Sequence, residues 1–222
     1  MSSYTIIIEN KNTSTGAPKF YNITTEKPGI GGDTALQSMF TVVWYKTLGI
    51  PRGGQDTFQF TPNVYAFVGS SSSYSSQLAK GHTVNIINKA LARIDPRRQK
   101  GSQLLLTEEF DVMDEGKNLA KPGTFEFSIA AAFDDPNRYV VGVAREQVGG
   151  QLSPVAVADL KSSADYVFTP KPKLYVTSTT AERGQIFDLP DNADQYAEID
   201  YKDGRKTAMV SETGGKFTVT YL

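Results

Sequence analysis

Apolar and polar residues alternate along this chain from end to end, with no sustained helical period. Phe125, Phe127, Ile129, Ala131 and Phe133 are separated by Thr124, Glu126, Ser128, Ala130 and Ala132. The same pattern returns in Phe217, Val219 and Tyr221, with Thr218 and Thr220 between them. A period of two puts successive side chains on opposite faces of a strand, one wet and one dry. A chain patterned this way throughout is all-β.

About a dozen strand candidates follow from alternation and from β-branched or aromatic enrichment. The first is Tyr4 to Glu9 and the second is Lys19 to Thr25, ended by Pro28-Gly29. Phe40 to Lys46 reads as one strand, with Phe40, Val42 and Trp44 on one face. Thr57 to Val68 reads as two strands, because Pro62 cannot donate to an interior ladder. Thr83 to Asn88 and Gln103 to Val112 are next. Lys89 to Lys100 between them allows one helical turn through Ala90, Leu91 and Ile94, stopped by Pro96. Asp134 to Asn137 predicts a hairpin joining Thr124–Phe133 to Arg138–Glu146. Gly149-Gly150 breaks the chain before Pro154 to Asp159. Pro170 and Pro172, between Tyr166-Val167-Phe168 and Lys173–Thr177, mark an edge or a crossing loop. Asp203-Gly204 predicts a type I′ hairpin from Ala197–Tyr201 to Lys206–Val210, and Gly214-Gly215 makes the last turn.

The expected architecture is a two-layer antiparallel β-sandwich, jelly-roll-like or related, with long loops and at most one short helix. At 222 residues the chain suits one such domain, residues 1–222, without metal or disulfide staples. The loop 114–123 is the best candidate for a boundary within it.

Charge narrows the partners. Lys and Arg number 23 against 24 Asp and Glu, a formal net charge of −1. A near-neutral chain is not built to wrap nucleic acid, and it meets little repulsion from its own copies. Homo-oligomers are therefore expected. No cysteine is present, which excludes disulfides, thiolate metal sites and Cys nucleophiles. The first residues carry no signal-peptide pattern and no window reaches the length of a membrane span, so a cytoplasmic protein is expected. Two glycosylation sequons, at Asn12 and Asn22, then read as chance.

Chemistry-bearing constellations are few, and no cofactor motif is present. His82 is the single histidine, so a Ser-His-Asp system has one possible base. No Gly-x-Ser-x-Gly elbow supplies a nucleophile. His82 reads best as a solvated residue at a strand start. Glu108 falls in the apolar phase of Leu104, Leu106, Phe110 and Val112. Pointing inward, it would sit where a general acid needs to be. A β-bulge at Glu108-Glu109 would send both to water instead, and this is the favoured reading. Asp191-Asn192-Ala193-Asp194 and the group Asp111, Asp114, Glu115 carry oxygen ligands, but neither matches a Ca²⁺ loop. Turn-forming Asp and Asn explain both, so no metal is expected.

Arg93, Arg97 and Arg98, with Lys89 and Lys100, form the one basic cluster. It reads as a solvated loop, or as a contact for an anion or an acidic partner. Tyr74 stands alone among the serines of Ser70–Ser76, where a ring beside hydroxyls suits an adaptable binding surface.

The segments Tyr4 to Lys11 (YTIIIENK) and Tyr139 to Ala144 (YVVGVA) resemble uncharacterised cytosolic β-proteins of fungi and bacteria. The resemblance covers strand segments only and implies neither an activity nor site residues.

Three functional readings follow. The first is a non-catalytic sandwich acting by self-assembly or by binding a ligand or partner. The second is an intracellular lectin-like glycan binder using Tyr74. The third is a carboxylate enzyme on a glycan or small metabolite, with Glu108 as its acid.

Overall fold

The structure, a computed structural model, describes residues 3–13, 16–32, 38–72, 77–94, 100–116, 120–130, 132–133, 139–201 and 204–222. It is all-β. Seventeen strands occur among the described residues, and the one helical element there is a single 3-10 turn, Ala193–Gln195.

Three sheets carry the fold. The largest runs in the order β17 (Lys216–Tyr221), β16 (Thr207–Thr213), β1 (Tyr4–Asn10), β6 (Gln55–Ser71), β11 (Tyr139–Gln147), β12 (Leu152–Asp159), β4 (Phe40–Thr41), with β7 (Val84–Ala92) also on β6. The second is β3 (Gly29–Gly32), β13 (Asp165–Thr169), β10 (Phe125–Ile129), β8 (Gln103–Leu106), β9 (Val112–Asp114). The third is β15 (Tyr196–Ile199), β14 (Leu174–Ser178), β2 (Tyr21–Thr25), β5 (Tyr45–Lys46). Ladders are antiparallel apart from β1 on β16 and β8 on β10, which are parallel.

One face of the large sheet and the inner faces of the other two share a single core. Ile6 and Ile8 of β1, Phe58 and Phe60 of β6, Phe125 and Phe127 of β10, and Leu174 and Val176 of β14 all belong to it. Each is buried by the alternation seen in the sequence, and full burial of such a side chain contributes about 1.5–3 kcal/mol. A second, smaller core covers the reverse face of the large sheet. There Phe67, Val140 and Val157 pack under Leu78, Val84 and Ile186. The Phe67 ring lies close against Gly69 and Gly142. A Cβ on Gly142 would stand 2.9 Å from it and 2.1 Å from the Ala156 carbonyl, so only glycine fits.

The second core corrects the reading of Phe40–Lys46. That stretch is two short strands in different sheets, and Trp44 enters the main core while Val42 enters the other. Thr57–Val68 is also different: it lies within one long strand, β6. Its first part pairs with β1, its last part with β7. Pro62 is accommodated by a bulge, where Thr61, Pro62 and Asn63 together oppose the single residue Glu146 of β11. The Glu146 carboxylate takes hydrogen bonds from Thr61 Oγ1 (3.1 Å) and Asn63 Nδ2 (3.0 Å) and so closes the bulge.

Other long-range pairings override local turn signals. Lys89 to Ala92 continue β7 and are not helical. Strand β10 pairs with β8 and β13, and β11 lies in the large sheet, so 124–133 and 138–146 do not form a hairpin. Likewise β15 pairs with β14, and β16 pairs with β1 and β17. The turn residues 134–137 and 202–203 lie outside the described residues. Gly214-Gly215 makes the expected last turn, between β16 and β17, and the break at Gly149-Gly150 proves to be a second hairpin, β11–β12. Pro170 and Pro172 sit in a crossing loop that carries the chain from β13 to β14, between two sheets.

Candidate functional site

The bulge at Pro62 and the crossing loop at Pro170–Pro172 together open a pocket of about 360 Å³. Its wall is apolar and aromatic. Tyr4 stacks on Phe60 with ring centroids 5.4 Å apart, and Tyr201 leans on Tyr4 at 4.8 Å. Pro62, Val64 and Ile94 continue the wall on one side, and Pro170 and Pro172 on the other. This volume lies within the range of small-molecule sites.

One charge lies at the bottom. Arg145 follows Val141 and Val143 in phase along β11, so its side chain enters the core side of the sheet. It is 8% exposed. Its Nη2 donates to the Lys171 carbonyl at 2.9 Å, and its guanidinium lies 6.0 Å from the Trp44 ring. No carboxylate pairs with it among the described residues. Burial pushes the Arg145 guanidinium down to about 10, and the nearby Tyr4 partly opposes that. Even so, it is a cation at neutral pH. Lys171 lines the same pocket, and among the described residues no Asp or Glu does. The Tyr201 hydroxyl is committed to the Thr5 carbonyl at 2.7 Å, and burial holds that phenol in its neutral form.

A second buried polar group is built differently. Glu212, 2% exposed, receives Lys19 Nζ at 2.6 Å, Tyr21 OH at 2.6 Å and Asn12 Nδ2 at 3.2 Å. Asn12 Oδ1 accepts the Gly214 amide at 2.8 Å, and Asn10 accepts from Asn12 in turn. Every partner here is supplied by the chain. The network fastens the segment after β1, the start of β2 and the β16–β17 hairpin to one another.

The residues singled out from the sequence do not converge. His82 stands two residues before β7, half-buried, with Nδ1 accepting the Ala79 amide at 3.2 Å. Its carbonyl accepts from Ile186 at 2.8 Å, so it pins the cover of the second core. Glu108 is exposed in a turn between β8 and β9, where the expected continuous strand is interrupted. That turn, with Phe110 at φ 62, sends Glu108 and Glu109 to solvent. The dry surroundings the acid role requires are absent, and this corrects the inward reading of Glu108. Arg93 is exposed, with Asp114 at 4.0 Å from its Nη2. Arg97, Arg98 and Tyr74 lie outside the described residues. Asn192 caps the 3-10 turn by accepting from the Asp194 amide, and Asp114 accepts from Gly116, so both acidic stretches contain turn-forming bonds. Asn12 and Asn22 of the two sequons are both buried.

Sequence reasoning missed Arg145 and Glu212. The signal for Arg145 was present: a charged residue in the apolar phase of Val141 and Val143, the argument applied to Glu108 instead.

Fold and pocket define an all-β protein with a preformed apolar cavity over a buried cation. A family model, RhiA, matches residues 2–221, and the chain belongs to the RhiA family. No curated protein and no solved structure matches it. No helix among the described residues is long and apolar enough to cross a membrane.

Proposed function

We propose that this protein acts by binding, without catalysis, and that its ligand is a small organic anion with a flat apolar body held in the Arg145 pocket. The carrying observation is Arg145 itself: a guanidinium buried in an apolar pocket with no carboxylate beside it among the described residues. Burying an unpaired charge costs several kcal/mol. A ligand carboxylate would remove that cost, and the planar fork of arginine matches its two oxygens. The stacked rings of Tyr4, Phe60 and Tyr201 and the prolines of the crossing loop suit a flat apolar body. Lys171 adds to the field that draws an anion in. Among the described residues none of the lining side chains is a carboxylate, histidine or serine. A cytoplasmic location belongs to the same reading and rests on the cysteine-free sequence, which suits a reducing compartment.

A thermal-shift series tests it with 2-naphthoate, hexanoate, acetate, inorganic phosphate and neutral 2-naphthamide. A ligand at a hundred times its Kd stabilises by about 2.7 kcal/mol, a rise of about 5–10 °C for a chain of this size. 2-Naphthoate and hexanoate should raise the midpoint, and acetate, phosphate and the amide should not. A flat response to every anion at millimolar concentration would refute the reading.

A further inference from the structure

We propose that the free edge of β17 is a homodimer interface, in which two copies pair antiparallel about a two-fold axis through Val219 and join their large sheets into one. The inference stands apart from the Arg145 pocket.

Strand β17 ends the large sheet and, among the described residues, forms a ladder with β16 alone, with β15 and the 3-10 turn lying close by. The Leu222 amide donates to the Thr207 carbonyl at 3.0 Å, which fixes the alternation of its bonds. Residues 216, 218 and 220 direct their amides and carbonyls at β16. Phe217, Val219 and Tyr221 direct theirs outward, and none of these groups has a backbone partner among the described residues. The same three side chains pack against the main core, while Lys216, Thr218 and Thr220 face solvent.

Those facts select one register. Opposing residues in an antiparallel pair share a face, so odd residues must meet odd ones. With Val219 opposite Val219 of the partner subunit, Phe217 meets Tyr221 of the partner subunit, and the reciprocal pair forms as well. All six outward groups on each strand are then used. Sliding by one step in either direction leaves one outward residue unpaired. The side-chain match follows: aromatic meets aromatic on the core side, and Thr218 meets Thr220 of the partner subunit on the wet side, a favourable set of cross-strand pairs.

The strand also carries few of the sequence devices that protect an edge. It has one charged residue, Lys216, no proline, and no register shift along its ladder. Strand β7 is the contrast. It is longer and displays Ile87 at 49% exposure, but a bulge at Ile87 breaks its ladder and its Val84 amide is taken by Gly184. Strands β3, β9 and β15 are shorter still, at two-thirds of β17 or less. Near-zero net charge leaves little long-range repulsion between copies.

The test is mass by light scattering over a concentration series, with two exposed-site variants. Thr218→Glu with Thr220→Glu places carboxylates opposite one another across the interface, and Thr218→Lys with Thr220→Lys does the same with ammonium groups. Wild type should be a dimer at about 100 µM. Each variant alone should stay a monomer with unchanged circular dichroism, and an equimolar mixture of the two should dimerise. A wild-type monomer at about 500 µM would overturn the proposal. So would a dimer that both variants retain, or a mixture of the variants that remains monomeric.

Discussion

The Arg145 guanidinium donates to the backbone carbonyl of Lys171 at 2.9 Å, across the gap between the large sheet and the crossing loop. A charged side chain therefore holds the Pro170–Pro172 segment through a neutral acceptor. Its remaining donors have no carboxylate among the described residues.

This geometry sets Arg145 apart as a stability liability. Replacing buried ionic groups by apolar ones of similar volume is often neutral or stabilising. Arg145→Met should fold and keep, or gain about 1 kcal/mol of, unfolding free energy in urea. A loss of more than about 2 kcal/mol would mean that the guanidinium serves the fold, through the Lys171 bond.

Alkaline pH should weaken the fold. Burial, aided by Asp56 at 2.9 Å, pushes Tyr45 up to about 12, and Tyr21 and Tyr201 are raised as well. A phenol raised in the native state contributes stability that is complete below its unfolded value of about 10 and lost as pH rises through the folded value. Burial lowers Arg145 and Arg183 as well, but a guanidinium keeps its charge over this range and does not offset the loss. Chemical denaturation between pH 8 and 12 should show a plateau and then a decline starting near 10. Rising stability over that span would contradict these assignments.

Glu212 should matter more to the fold than any other carboxylate. Glu212→Leu strips the Tyr21 hydroxyl and Asn12 amide of their acceptor inside the core, and leaves Lys19 unpaired. The expected loss is about 2–4 kcal/mol, read as a lowered urea midpoint. A change under about 0.5 kcal/mol would show that the network adds nothing net.

His82→Ala removes one side-chain acceptor from the Ala79 amide and leaves the backbone bonds of that turn intact. It should cost about 0.5–1.5 kcal/mol and leave ligand binding and mass unchanged. A folded variant that no longer binds would restore His82 as a functional group.

The strands were legible wherever one face is buried and the other wet. Phe125–Ile129 and Lys216–Tyr221 alternate in burial just as in sequence. Legibility failed where both faces are covered. Val42 and Trp44 share a phase in the sequence, yet they serve cores on opposite sides of the large sheet. It failed again at pairings, because β8 on β10 and β1 on β16 are parallel and joined across long stretches of chain. Asp203-Gly204 is a sound local turn signal, but β15 gains more by closing the third sheet on β14. Part of the pocket was visible as Pro62, Pro170 and Pro172, each noted as a break. Their convergence on Arg145 depends on how three sheets meet, which no local pattern encodes.

The central claim is that Arg145 is a binding group for an apolar-bodied anion. The most direct measurement is titration calorimetry of 2-naphthoate into wild type and Arg145→Met. Wild type should bind one equivalent with Kd of about 100 µM or tighter. Affinity should hold from pH 6 to 9, because the guanidinium keeps its proton across that range. The folded Arg145→Met protein should bind at least about tenfold more weakly, a difference of about 1.4 kcal/mol. Equal binding by the two proteins, or none by wild type, would contradict the account.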